Sequence, residues 1–253
     1  MTARLTHQGA APQTLLPPLR RLVRDAWLGL RSRDQPSYYR AVMRADCARG
    51  HQIAVGSPSH ESWLRIGRLQ FDYLIRHGLS PRQRMLEIGC GDLRAGRLFI
   101  DYLEPGNYHA VDLSPEILLA AQQTIVDYGL QEKLPNLMHV RDLTLAFLPA
   151  DHFDVIHAHS VFPHCAPGTI HEAMASVRRV MAPGGFFDFT FDRVESSEYH
   201  VLWEDYYYTT ETLQSIAAAH GLAARFMDDW EELPHRQSKL RAVQASDERQ
   251  AGC

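Results

Sequence analysis

Met85-Leu86-Glu87-Ile88-Gly89-Cys90-Gly91-Asp92, followed by Tyr108-His109-Ala110-Val111-Asp112, is the stretch that decides the fold. It reads as a buried strand, a glycine turn that opens a helix, and a second strand ending in a carboxylate. Glycine lets the backbone turn tightly and approach a ligand, and a helix N-terminus offers unpaired N–H groups. A carboxylate at the end of the next strand, about 20 residues on, is placed to hold a ribose diol. The pattern predicts a nucleoside-bearing cofactor at the carboxyl edge of a parallel sheet.

Two cofactor classes use such a turn, and the glycine spacing separates them. A dinucleotide fold needs a third glycine three residues after the second, where the helix packs closely to receive a pyrophosphate. That position is Arg94, and the next glycine is Gly96. Glu87, just ahead of the turn, suits a cationic ligand better than a pyrophosphate. At these residues the chain resembles the class I S-adenosylmethionine (SAM)-dependent methyltransferases, whose first motif reads acidic-x-Gly-x-Gly. The resemblance runs from about Trp63 to Val243, with later motifs in order. It implies an α/β fold with a Rossmann-like seven-stranded sheet, mostly parallel, with helices on both faces. The last strand would run antiparallel beside the fifth. SAM would be the cofactor and S-adenosylhomocysteine (SAH) its product.

The remaining chain fits that frame. Alternating β and α elements imply a parallel sheet covered on both faces. After Asp112, Ser114-Pro115-Glu116 predicts an N-cap with proline in the first helical turn. Strands are expected at Leu137–Val140, Phe153–Ala158, Phe186–Phe191, Ala224–Met227 and Leu240–Val243. Helices are expected at Thr169–Met181 and Tyr208–His220. Residues 1–60 read as an N-terminal helical extension, 61–245 as the methyltransferase domain and 246–253 as a tail. Within the extension Met1–Gln13 is aperiodic, and helical spacing starts at Leu15 and continues through Leu19, Val23, Trp27 and Leu30. Its arginines, Arg20, Arg21, Arg24 and Arg31, make a membrane-surface helix conceivable, but packing on the domain or on a partner is the ordinary use of such a face. Further helices are expected at Ser37–Arg49 and Glu61–His77.

Site residues follow from the resemblance. Glu87, Gly89, Cys90 and Gly91 would hold the methionine end of SAM and Asp112 the ribose, with Leu113 also at the cofactor. Asp142 would meet the adenine amino group, and Leu143 would offer its backbone N–H to a ring nitrogen. Phe153-Asp154-Val155-Ile156-His157-Ala158-His159-Ser160-Val161-Phe162-Pro163-His164 resembles the family's fourth motif. It would set His159 and Ser160 beside the cofactor and His164 towards the acceptor, as the candidate base. A structural role for His164 stays open, since Pro163 replaces an acid often found there. His157, His159, His164, Cys165 and His171 invite a metal reading, but convincing further ligands and supporting carboxylates are missing, so no metal is expected. The segment Asp192–Tyr208 mixes aromatics with carboxylates and would form an acceptor wall, a lid or a dimer contact.

Bulk properties restrict the partners. Hydrophobic residues make up 45% and charged residues 22%, with a net charge of −4. Those values suit a globular chain and give no basic face for a nucleic acid. The four cysteines are scattered, which fits a reducing cytoplasm. Without a membrane-span pattern or signal-peptide core, no membrane partner is expected, and a homodimer is possible. The reading is O- or N-methylation of a small-molecule acceptor. The alternative is a SAM- or SAH-binding subunit without transfer activity.

Overall fold

The structure, a computed structural model, describes residues 19–230 and 237–246. Its elements are α1 (Leu19–Arg31), α2 (Gln35–Cys47), α3 (His51–Ala54), α4 (His60–Arg76), β1 (Met85–Ile88), α5 (Gly96–Tyr102), β2 (Tyr108–Asp112), α6 (Pro115–Asp127) and β3 (Asn136–His139). There follow β4 (Phe153–Ala158), α7 (Pro167–Val180), β5 (Met181–Arg193), β6 (Tyr199–Val201), β7 (Asp205–Tyr208), α8 (Thr210–Ala219), β8 (Leu222–Phe226) and β9 (Gln237–Gln244). Strands β3, β2, β1, β4 and β5 lie side by side in that order, all parallel. Strand β9 then pairs antiparallel with β5, and β8 antiparallel with β9. This is the expected seven-stranded order, with the last strand inserted beside the fifth.

Alternation along the strands sorts side chains to opposite faces. Leu86, Ile156, Phe187 and Phe189 pack with Ile170, Met174 and Val177 of α7 and Leu213 of α8. Met85, Ala110 and Val155 face the other way, onto Tyr73 of α4, Phe99 of α5 and Leu118 of α6. The strand order reverses where β1 meets β2 and β4, which opens a crevice at the carboxyl edge.

The cap expected at Ser114 is present, and Asp34 caps α2 as well. Ser114 Oγ accepts from Ile117 N–H at 3.2 Å, and Asp34 does the same for α2, from Ser37 N–H at 2.8 Å. The predicted first helix is observed from Leu19; its expected start at Leu15, the Met1–Gln13 segment and most of the tail lie outside the described residues. Helix α1 packs on α2, where Arg24 Nη1 reaches Asp46 Oδ1 at 2.6 Å, and leaves Val23, Trp27 and Leu30 exposed. No described helix is long and apolar enough to cross a membrane.

One expectation needs correction. The segment Asp192–Tyr208, expected to run between the fifth strand and its helix without strands of its own, contains the β6–β7 hairpin. Strand β7 pairs with Asp192 and Arg193 beyond the point where β4 has ended, so the hairpin rises above the carboxyl edge. Burial alternates along β7, with Tyr206 and Tyr208 inside, although Asp205-Tyr206-Tyr207-Tyr208 shows no such alternation in hydropathy.

Between β5 and β9 lies a buried ion pair. Arg241 donates from Nε and Nη2 to both oxygens of Asp188, at 2.6 and 2.8 Å, and the two residues are register partners. Lys239 Nζ stands 3.9 Å from the same carboxylate and 3.9 Å from the Trp230 ring centroid; burial pulls its pKa down to about 8. Removing one partner of a buried pair strands the other charge. Arg241→Ala is therefore expected to lower the unfolding free energy in urea by about 3–5 kcal/mol. A loss of less than 1 kcal/mol, about the value of an exposed pair, would contradict this.

Candidate functional site

The glycine turn leaves no room for side chains. Gly89 and Gly91 have φ of 69° and 57°, where L-residues are strained. A Cβ on Gly89 would lie 2.5 Å from Val161 Cγ2, and one on Gly91 2.8 Å from Val55 Cγ1. Across the turn, Asp112 Oδ2 accepts Gly91 N–H at 3.0 Å and Oδ1 accepts Ser114 N–H at 2.9 Å. Burial raises the Asp112 pKa, and these N–H donors oppose the rise. Each carboxylate oxygen has more than one lone pair, so Asp112 can still accept from a ligand hydroxyl.

Glu87 lies at the root of the turn, almost wholly buried, and accepts a hydrogen bond from the Tyr108 hydroxyl. Burial pushes its pKa up to about 8, against the pull of Tyr108 and of Arg94. Arg94 donates from Nη1 to Val55 O at 2.7 Å and Ser57 Oγ at 3.2 Å. Buried Asp92 accepts Trp63 Nε1–H at 2.8 Å and contacts His51 Nδ1 at 2.7 Å. Together these contacts bind α3, the segment after it and α4 to the turn.

Beyond β4 the chain turns at Ser160, held at a φ of 60°. Its N–H donates to Thr190 Oγ1 and its Oγ accepts from Gln237 Nε2, both at 2.7 Å. A short 3₁₀ turn over Phe162–His164 then presents His164. His164 Nδ1 lies 2.8 Å from Glu204 O, so Nδ1 carries the proton and Nε2 is the basic atom. Asp205 Oδ1 stands 3.6 Å from the same nitrogen, and Tyr39 stacks on the ring with centroids 5.2 Å apart. Gln35 Nε2 donates to the His164 carbonyl.

A cavity of about 530 Å³, within the usual range for small-molecule sites, unites these parts. Its wall includes Glu87, Gly89, Cys90, Gly91, Asp112, Leu113, Leu143, His159, Ser160 and His164, all anticipated from the sequence. Asp142 is the exception. It is exposed and folds back to accept Thr144 N–H at 3.1 Å and Thr144 Oγ1–H at 2.6 Å, a local turn rather than a cavity contact. Leu143 lends its side chain to the wall, but its N–H donates to Glu172 Oε1 at 2.6 Å instead of remaining open to a ligand.

The sequence reading missed much of the roof. Gln35, Tyr39, Val42, Met43 and Asp46 line the cavity from one face of α2, and Glu204, Asp205 and Tyr207 from the hairpin. Spacing of three and four residues in α2 was the available signal, but it does not say what the face covers. Asp192, at the end of β5, also lines the cavity, with its pKa raised to about 7 by burial and by Asp205. Among the described residues no His, Cys, Asp and Glu cluster is arranged for a metal. His157 contacts Gln70 Oε1 at 3.2 Å, and His171 contacts His220 at 3.0 Å.

Residues 86–187 match a family model described as a methyltransferase domain. The fold resembles magnesium protoporphyrin IX methyltransferase from Synechocystis, solved with SAM (TM-score 0.66, 14% identity, 84% of this chain and 98% of that one). It also resembles a SAM-dependent methyltransferase from Aquifex aeolicus (TM-score 0.56, 17% identity, 70% and 93%). In sequence, 138 residues are 30% identical to hemagglutinin 1 of Eikenella corrodens, covering 48% of this chain and 44% of that protein. The chain thus spans under half the length of that curated relative.

A Glu87 pKa near 8 means that its carboxyl is largely protonated at pH 7. A ligand that places a positive charge beside it favours the ionised form and expels the proton. Affinity should then rise with pH and level off above about 8. For SAH at pH 7, calorimetry in two buffers of different ionisation enthalpy should show proton release. Equal heats in both buffers would rule out this coupling.

Proposed function

We propose that this class I SAM-dependent methyltransferase transfers a methyl group to an oxygen or nitrogen of a small-molecule acceptor. The donor groups fit the cofactor. Asp112 offers acceptor lone pairs at a strand end, where a ribose diol is held in nucleotide sites. The glycine turn excludes side chains that would block close approach. Glu87 suits an ammonium, and Leu113, His159 and Ser160 complete the wall. When bound, SAM supplies a methyl group on an already activated sulfonium, so the protein's task is alignment, water exclusion and proton removal.

The observation that carries the acceptor side is the bonding of His164. Its Nδ1–H is committed to Glu204 O, which leaves Nε2 with a lone pair in a residue on the cavity wall. An acceptor O–H or N–H would pass its proton to that nitrogen as the acceptor takes the methyl group, and the sulfur of SAM would keep the electrons of the broken S–C bond. Asp205 steadies the imidazolium that results. Tyr39 from α2 and the hairpin hold the ring from two sides, and the same elements roof the cavity against water.

Loss of a general base typically costs about 10²–10⁴-fold in rate. His164→Ala should show a loss of that size in turnover, with SAH affinity within a few-fold of the unaltered protein. His159→Ala should act mainly on cofactor affinity. Full turnover by the His164 variant across neutral pH would leave alignment alone as the source of rate. SAH binding with no transfer to any amine or hydroxyl acceptor would favour a binding subunit instead.

A further inference from the structure

Helix α1 turns its charged groups inwards and its apolar ones outwards. Its neighbour is α2, and Asp25, on the inner side, is buried and accepts from Arg24 Nε at 2.5 Å. Arg24 in turn reaches Asp46 of α2 through Nη1 at 2.6 Å. Gly29 faces the same way, since an added Cβ would stand 3.9 Å from the Tyr38 ring of α2. Val23, Ala26, Trp27 and Leu30 form one stripe at helical spacing, and all four are exposed, Trp27 by 55% and Leu30 by 88%. An amphipathic helix that packs on its own domain buries such a stripe. Helix α1 buries an ion cluster instead.

Positive charge borders the stripe. Arg31 is exposed and lays its guanidinium over the Trp27 ring, 4.6 Å from the centroid, and Arg33 is exposed just beyond the helix. From Leu19 to Arg33 the sequence holds five arginines and one aspartate, the buried Asp25, although the whole chain carries a net charge of −4. Asp34 follows at once, but its carboxylate is engaged as the cap of α2. Tryptophan and leucine on one side of a helix, with arginines on the other, are the make-up of helices that lie in a membrane interface. A second copy fits this surface less well, because a stripe paired with itself would gather the arginines of both copies at one contact.

We propose that α1 docks this chain on an anionic lipid surface, with Val23, Ala26, Trp27 and Leu30 below the headgroups and Arg31 and Arg33 among them. The docking is peripheral, since no described helix is long and apolar enough to cross a bilayer. It does not depend on the SAM reading. The ion cluster beneath the stripe fastens α1 to α2, the helix whose Gln35, Tyr39 and Met43 line the cavity. The lipid-facing helix and the roof of the site are thus consecutive in the chain and tied side by side.

Co-sedimentation of the full chain with vesicles of phosphatidylcholine, alone and mixed with phosphatidylglycerol, tests this. The chain should bind the mixed vesicles, and about tenfold or more weakly the neutral ones, with the difference lost in high salt that screens the arginines. Leu30→Asp and Trp27→Asp, both at exposed positions, should each weaken binding to the mixed vesicles by about tenfold or more. Arg31→Glu combined with Arg33→Glu leaves the stripe intact and should remove the preference for anionic lipid. No association of the unaltered chain with the mixed vesicles overturns the proposal without any variant. Association that survives both stripe variants overturns it too, because another face would then be responsible. A dimer in light scattering that Leu30→Asp dissociates, without vesicle binding, would give the stripe to a second copy instead.

Discussion

At Gly91 the glycine turn meets Val55, just after α3, with no space between them. A single methyl group on that glycine would strike Val55, and Arg94 holds the carbonyl of the same valine from below. Asp92 adds a second fastening, since its buried carboxylate joins Trp63 of α4 and His51 of α3. The contact of the Val55 side chain with the turn places Val55 and Gly56 along the wall of the cavity at the sheet edge. Helix α2 lines the same cavity, with the Tyr39 ring against His164.

Burial at this edge is not charge-neutral by accident of composition. Glu87 and Asp192 are both pushed up towards neutrality, to about 8 and about 7, and Asp112 is shifted the same way. At Glu87 the shift lowers the penalty of burial, because the carboxyl holds a proton until a ligand arrives. His164 is handled differently. Its proton is fixed on one nitrogen by the backbone carbonyl of Glu204, so the hairpin sets which atom is basic.

The sheet and the cofactor turn were legible because their signals are local. Glycines at 89 and 91, an acid ending β2 and an N-cap at Ser114 each act within a few residues, and the structure keeps every one in place. The roof was illegible for the opposite reason. The stripe Gln35, Tyr39, Val42, Met43 and Asp46 announces a helix with a working face, but only tertiary packing says that it faces a cavity. The hairpin was hidden because its strands are short and their partner is the overhanging end of β5. Asp142 serves its own turn through Oδ1, a use that an aspartate before Leu-Thr offers as readily as a ligand contact.

The central claim is that the Gly89–Gly91 turn holds a SAM-type nucleoside and not a dinucleotide. Titration calorimetry of the full chain with SAH and, separately, with NAD tests it most directly. Saturable one-site binding of SAH in the micromolar range or tighter, a dissociation free energy of about 8 kcal/mol or more, is predicted, with no heat from NAD. Saturable binding of NAD with none of SAH would contradict it.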